Sequence, residues 1–170
     1  MIQAITQADQ FKQQLSYSLQ QETLHAPTTT IAKNAHVYRC GELDQTVYFI
    51  ESGQIKLLMR SPEERECLLA IHTTGDIFGE SCLSGLGARL ETAIAMEETV
   101  LKQIPCAKFF ARLGHDGLLE GFVQYLAVRI ADQQQVIADL VTVNSEQRLG
   151  KTLLQLARNL GKKRASQPPD

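Results

Sequence analysis

Gly75-Asp76-Ile77-Phe78-Gly79-Glu80-Ser81-Cys82-Leu83, followed after a short glycine-studded segment by Arg89-Leu90-Glu91-Thr92-Ala93, is the stretch that decides the fold of this chain. An apolar strand ends in a Gly-Asp turn and meets Phe-Gly-Glu, and a Thr-Ala pair opens the next strand. Gly79 permits close approach to the backbone. The residues after Glu80 can start a helical turn whose unpaired N–H groups face negative charge. A carboxylate here repels phosphate but suits a sugar hydroxyl. Glu80 therefore reads as a ribose contact. The phosphate contacts are the N–H groups around Ser81 and Cys82, a nearby arginine and the Thr92 hydroxyl.

Around this stretch, from Ile31 to Pro105, short apolar or alternating runs are punctuated by glycines: Val47 to Ile50, Ile55 to Met59, Cys67 to Ile71, Ala93 to Met96 and Val100 to Ile104. Such spacing predicts antiparallel strands in a jelly-roll-like β-barrel, with turns at Glu51-Ser52-Gly53, Ser61-Pro62-Glu63-Glu64 and Thr74-Gly75-Asp76. Upstream, Phe11, Leu15 and Leu19 recur every four residues, predicting an amphipathic helix within residues 3–24 that ends before Pro27. After Pro105 the helical period returns. Lys108 to Leu113 makes a short helix broken at Gly114, and Gly117 or Leu118 opens the longest element. There Leu119, Phe122, Leu126, Arg129, Gln133, Val136, Leu140 and Val143 alternate three- and four-residue steps, the pattern of a coiled-coil seam. The expectation is a parallel pairing with a second copy, with polar Arg129 and Gln133 setting register. The alternative is a single helix lying along its own domain. Asn144-Ser145-Glu146-Gln147 caps a further helix with an apolar face of Leu149, Leu153, Leu156, Ala157 and Leu160, and a polar, proline-rich tail follows.

The 170 residues suffice for one full domain and a partial second, and 44% hydrophobic with 21% charged residues is ordinary for a globular chain. Cys40, Cys67, Cys82 and Cys106 show no Cys-x-x-Cys spacing and read as buried small hydrophobes. His25, His36, His72 and His115 are scattered, so no metal centre is expected. Ser52-Gly53 and Ser84-Gly85 lack a base, and Gly85-Leu86-Gly87-Ala88 is too short for a dinucleotide fingerprint, so the chain does not read as an enzyme. The N-terminus lacks a leader pattern and no apolar run reaches ~18 residues, which points to a cytoplasmic protein without a membrane partner. Net charge is −2, yet Arg148, Lys151, Arg158, Lys162, Lys163 and Arg164 cluster near the end. Such a patch suits DNA phosphates, and equally a solvated helix face.

Taken in order, four segments resemble the cyclic-nucleotide-binding domain of bacterial catabolite activator and Fnr-type transcription regulators. They are Val37-Tyr38-Arg39-Cys40-Gly41-Glu42 with Val47 to Leu57, then the Gly79 to Ala93 stretch, which resembles the family's phosphate-binding cassette, then the long helix. Last comes Gln147-Arg148-Leu149-Gly150-Lys151-Thr152-Leu153-Leu154-Gln155-Leu156-Ala157, which resembles the first helix of the family's DNA-binding domain. The resemblance spans about residues 30 to 160. It implies a mainly β architecture with α elements: a helix plus β-barrel over residues 1–115, a dimerisation helix over 116–143, and over 144–170 the first DNA-domain helix with a tail. The second and third helices of a helix-turn-helix are not in the sequence.

By the same resemblance the ligand is cyclic AMP or another cyclic nucleotide. Gly79, Glu80, Ser81, Cys82, Arg89, Thr92 and Ala93 would face it in the cassette, and Gln133 and Gln134 would face it on the long helix. One position departs from the family pattern: aligned on Thr92-Ala93, the family's arginine is Glu91. At an effective dielectric of ~20, two like charges ~4 Å apart repel by about 4 kcal/mol. Arg89 could turn into the pocket with Glu91 outward, or the two could pair, since residues i and i+2 share a strand face. The expected role is the effector-sensing and dimerising portion of a transcription regulator, coupled to DNA through its C-terminal domain. The alternatives are a free-standing nucleotide sensor controlling a protein partner and a ligand-free dimeric scaffold.

Overall fold

Alternating apolar runs become strands here because each can bury one face. The computed structural model describes residues 2–20, 26–61, 65–85, 87–142, 150 and 152–154. Helix α1 (Ile2–Gln20) precedes strands β1 (Thr28–Ile31), β2 (His36–Tyr38), β3 (Thr46–Ser52), β4 (Gln54–Arg60), β5 (Glu66–Thr73) and β6 (Ile77–Phe78). A 3-10 helix (Glu80–Ser84), β7 (Thr92–Ala95), β8 (Thr99–Pro105), α2 (Cys106–His115) and α3 (Leu119–Thr142) follow.

The strands form two antiparallel sheets, in the orders β1-β8-β3-β6 and β2-β7-β4-β5. This is the expected jelly roll. Its core joins Tyr38, Tyr48, Ile50, Ile55, Leu57, Phe78, Ala93, Ala95 and Leu101. In β3, Val47, Tyr48, Phe49 and Ile50 are all buried. By strand parity Tyr48 and Ile50 face this core, so Val47 and Phe49 lie on the opposite face, where α2 packs on β3. The β3–β4 turn needs glycine: Gly53 has φ +99°, and a Cβ there would fall 2.4 Å from Thr99 Oγ1.

Contacts divide the chain into two compact units, Met1–Tyr125 and Leu126–Asp170. The first reaches past the boundary expected at residue 115 because an aromatic cluster holds the start of α3. Phe11 of α1 sits 5.9 Å from Phe122 and 5.4 Å from Tyr125, and Phe109 of α2 meets Phe122 edge-on at 5.4 Å. Phe122 is 3% exposed and belongs to its own domain's core. The seam expectation is thereby corrected at this position. Exposed apolar side chains on the described part of α3 are Leu119, Val136 and Leu140 of the expected seam, together with Val123, Ile130 and Ile137. Val143, Asn144 and the basic residues from Arg148 to Arg164 lie outside the described residues. Of the expected final helix, Gly150 and residues 152–154 are helical.

Two further expectations are corrected. Gly114 does not break α2, which continues to His115; one helical glycine costs about 1 kcal/mol, which tertiary packing overrides. Nor are the cysteines buried: Cys40 and Cys67 are exposed, Cys82 and Cys106 half-buried.

Replacing Phe122 by Ala should lower stability by about 3–5 kcal/mol, whereas Lys108→Ala on the exposed face of α2 should change it by less than ~0.5 kcal/mol. Urea denaturation of the two variants checks the assignment of Phe122 to the core.

Candidate effector site

The site is organised by the turn after β6. Gly79 has φ +79°, and a Cβ there would lie 2.9 Å from both Arg89 Nη1 and the Thr46 carbonyl oxygen. Only glycine lets β6 turn into the 3-10 helix against a guanidinium. Glu80 opens that helix, and the Cys82 N–H donates to the Gly79 carbonyl at 3.3 Å. The loop back to β7 is stitched to the loop after β2: Gly41 N–H donates to Arg89 O at 2.8 Å, Arg89 N–H donates to Glu42 O at 2.9 Å, and Leu43 bridges Ala88.

Arg89 is 1% exposed. Its Nη1 donates to Gly79 O at 2.6 Å, its Nη2 to Asp44 Oδ2 at 2.7 Å and to the Thr46 carbonyl, and its Nε to Asp44 Oδ2 at 3.3 Å. The guanidinium lies 4.2 Å from the centre of the Tyr38 ring and 5.7 Å from that of Tyr48. Tyr48 also donates to Asp44, at 2.9 Å. Burial alone would raise the Asp44 carboxyl, but hydrogen bonds from Thr46, Arg89 and Tyr48 outweigh it and hold the group below the usual carboxylate range.

Glu91 is also buried and accepts the Tyr38 hydroxyl at 2.8 Å. Burial and then the Glu91 carboxylate push the Tyr38 phenol far above its ordinary range, so it stays a donor. Leu90 between them is half-exposed. Residues 89 and 91 thus share an inward side, and neither arrangement drawn from the sequence occurs. Glu91 does not point outward, and the partner of Arg89 is Asp44. Tyr38 separates the two, offering its ring to Arg89 and its hydroxyl to Glu91.

Of the other expected contacts, Thr92 Oγ1 accepts the Cys40 N–H at 3.1 Å, and Ala93 is fully buried in β7. Ser81 Oγ is buried without a hydrogen-bond partner among the described residues. Gly79, Glu80, Ser81, Cys82, Arg89, Thr92 and Ala93 all lie in the first unit. Gln133 and Gln134 lie on α3 in the second unit, both exposed. Asp44 was missed from the sequence. Its position two residues before β3 carries no motif, and its link to Arg89 spans 45 residues.

Two antiparallel sheets with a Gly-Glu turn leading on to a Thr-Ala strand make up a β-roll domain. The model of the cyclic nucleotide-binding domain matches residues 28–116, and the chain belongs to that family. It is 30% identical over 126 residues, 74% of its length, to the CRP-like cAMP-activated global transcriptional regulator of Mycobacterium tuberculosis, covering 56% of that protein. A cyclic AMP receptor protein from Thermus thermophilus is 27% identical over 123 residues, covering 72% of this chain and 57% of that one. The chain spans a little over half the length of these relatives. Among solved structures, the c-di-GMP responsive global regulator CLP of Xanthomonas campestris superposes with a TM-score of 0.74 at 20% identity, over 84% of this chain and 72% of that one. That likeness shows the fold. The Mycobacterium tuberculosis relative is described as a transcriptional regulator. No described helix is long and apolar enough to cross a membrane.

Asp44→Asn leaves the Arg89 charge buried without its counter-ion and should cost on the order of 3 kcal/mol at pH 7. Because the folded Asp44 carboxyl titrates below its unfolded value of ~3.9, its contribution is complete above that pH and lost as pH falls through the folded value. The stability gap between wild type and variant should therefore narrow toward pH 3. Urea titrations at pH 7 and pH 3 measure both.

Proposed function

We propose that this chain is the effector-sensing and dimerising portion of a bacterial transcription regulator, in which a small nucleotide-like ligand bound at the cassette sets the state passed to a DNA-binding domain. The observation that carries the reading is the cassette itself: a left-handed Gly79, Glu80 opening the 3-10 helix, and Thr92-Ala93 starting β7 on the other side. The ligand is engaged through Glu80, the ribose contact. Its opposite pole differs from a simple phosphate clamp, because Arg89 is committed to Asp44 and Glu91 occupies the aligned arginine position. Wild type therefore holds a cyclic phosphate weakly, and the physiological effector is one that tolerates a carboxylate at that pole.

Dimerisation runs through α3. In the second unit Ile130, Ile137 and Leu140 are exposed apolar side chains. With Leu119, Val123, Leu126 and Gln133 they fall at alternating four- and three-residue steps. This register replaces the one through Phe122, Arg129 and Val136. The coupling to DNA requires each partner's DNA domain to follow the paired helices, with a typical free energy of about 1–3 kcal/mol.

Calorimetry with cyclic AMP and cyclic GMP tests the ligand assignment. Glu91→Arg should bind cyclic AMP at least ~10-fold tighter than wild type, a difference of about 1.4 kcal/mol, and adding Glu80→Ala should remove the gain. Binding that survives Glu80→Ala would place the pocket elsewhere; no heat with any form would favour the ligand-free scaffold. For the dimer, light scattering should give a twofold mass for wild type and a single protomer for Ile130→Asp. An unchanged mass for the variant would exclude α3 as the interface.

A further inference from the structure

A cleft of about 210 Å³ opens between the end of α1, the outer face of the sheet that contains β3 and β8, and the β5–β6 turn. It shares no residue with the cassette. Phe49 and Lys102 are register partners, so their side chains stand on one face of the sheet, and Glu51, two residues on from Phe49, shares that face. Lys102 Nζ donates to the Leu19 carbonyl oxygen at 2.8 Å and lies 3.4 Å from Glu51 Oε1. That carbonyl belongs to the last turn of α1, which carries no basic residue, so Lys102 supplies the cation from β8. Both charged side chains are largely withdrawn from water, with 14% of Lys102 and 31% of Glu51 exposed. An ammonium has three hydrogens; these contacts use two of them. Ser16 of α1 and Thr74 of the turn add hydroxyls to the lining, and Phe49 adds an apolar wall.

We propose that this cleft is a second ligand site and that it takes a small free α-amino acid. A simple anion meets a Lys102 charge already balanced by Glu51, and a simple cation meets the reverse. A ligand with both charges on one carbon replaces both halves of the pair at once. Its carboxylate accepts from Lys102 and the neighbouring hydroxyls, and its ammonium donates to Glu51. The 3.4 Å between Lys102 Nζ and Glu51 Oε1 suits two groups that flank a single carbon. Size sets a second limit. Pockets for drug-sized ligands run to about 300–1,000 Å³, so a cleft of about 210 Å³ admits an amino acid with a short side chain, which lies on Phe49. The occupied cleft also bears on the cassette. Gly75 N–H donates to Ile50 O at 2.9 Å, and Asp76 is held by Lys12 at 2.6 Å and by the Thr73 N–H at 2.8 Å. A ligand against Thr74 and Gly75 braces this turn, which runs through β6 into Gly79. Its influence on effector binding rests on the proposed function; the cleft does not.

Backbone amide spectra of the nitrogen-15-labelled wild-type chain, titrated with each standard L-amino acid to millimolar concentration, test the site. At least one amino acid with a short side chain should give saturable shifts in the amides of Leu19, Gly75 and Lys102. Acetate and methylammonium, which carry the two charges separately, should give none at the same concentration. Glu51→Gln, which keeps the shape of the side chain, should weaken binding by about tenfold or more, and Lys102→Met should abolish it. Because Lys102 also caps α1, the glutamine variant decides the outcome if the methionine variant does not fold. No saturable shift with any amino acid, acetate shifting the same amides as strongly, or affinity unchanged in Glu51→Gln would each overturn the proposal. So would shifts confined to residues 79–82, which would put the amino acid in the cassette. None of these titrations uses a nucleotide, so a failed effector titration leaves the cleft standing and an empty cleft leaves the effector reading standing.

Discussion

A guanidinium with 1% of its surface exposed is the constraint around which this domain is arranged. A buried cation is costly unless its hydrogens are spent, and Arg89 spends them on Asp44 and on two backbone carbonyls, of Gly79 and Thr46. Those acceptors belong to the β2–β3 loop, the start of β3 and the turn after β6. One side chain thereby ties the loop before β7 to two other places in the chain, residues 44–46 and the turn at Gly79. Tyr38 and Tyr48 close the shell, each with its ring toward the cation and its hydroxyl on a carboxylate.

The same arrangement gives the cassette an unusual charge pattern. In a clamp for a cyclic phosphate, the cation faces the ligand. Here it faces inward, and the buried carboxylate of Glu91 accepts the Tyr38 hydroxyl beside it. Glu80, Glu91 and Asp44 against Arg89 leave an excess of negative charge around the cassette, which sets the electrostatics of the proposed effector site. Relatives described as cAMP-activated share the fold and about 30% of residues. Identity at that level carries the β-roll without fixing the chemistry of one side chain.

Much of this fold was legible because strands and helices announce themselves by period. The runs at Val47, Ile55, Cys67, Ala93 and Val100 each became a strand of the two sheets, and Phe11, Leu15 and Leu19 became the buried stripe of α1. Position on a helix was legible; the partner it meets was not. Phe122 fits a seam by spacing alone, and its contacts with Phe11, more than a hundred residues earlier, and with Phe109 of α2 assign it to the core. The site divided in the same way. Gly79, Glu80 and Thr92 could be picked out from local motif, whereas the Asp44 partner of Arg89 is a long-range pairing without a local signature. Strand parity did predict that residues 89 and 91 face one side; what it could not supply was Tyr38 standing between them.

The central claim is that the Arg89 charge is an internal tie and not a ligand contact. Nitrogen-15 correlation spectra of the arginine side chains, recorded with and without millimolar cyclic AMP, test it most directly. The account predicts a sharp, slowly exchanging Arg89 Nε–H signal that is lost in Asp44→Asn and stays unmoved by cyclic AMP. A signal that shifts on adding the nucleotide, as the guanidinium leaves Asp44 for the phosphate, would contradict it.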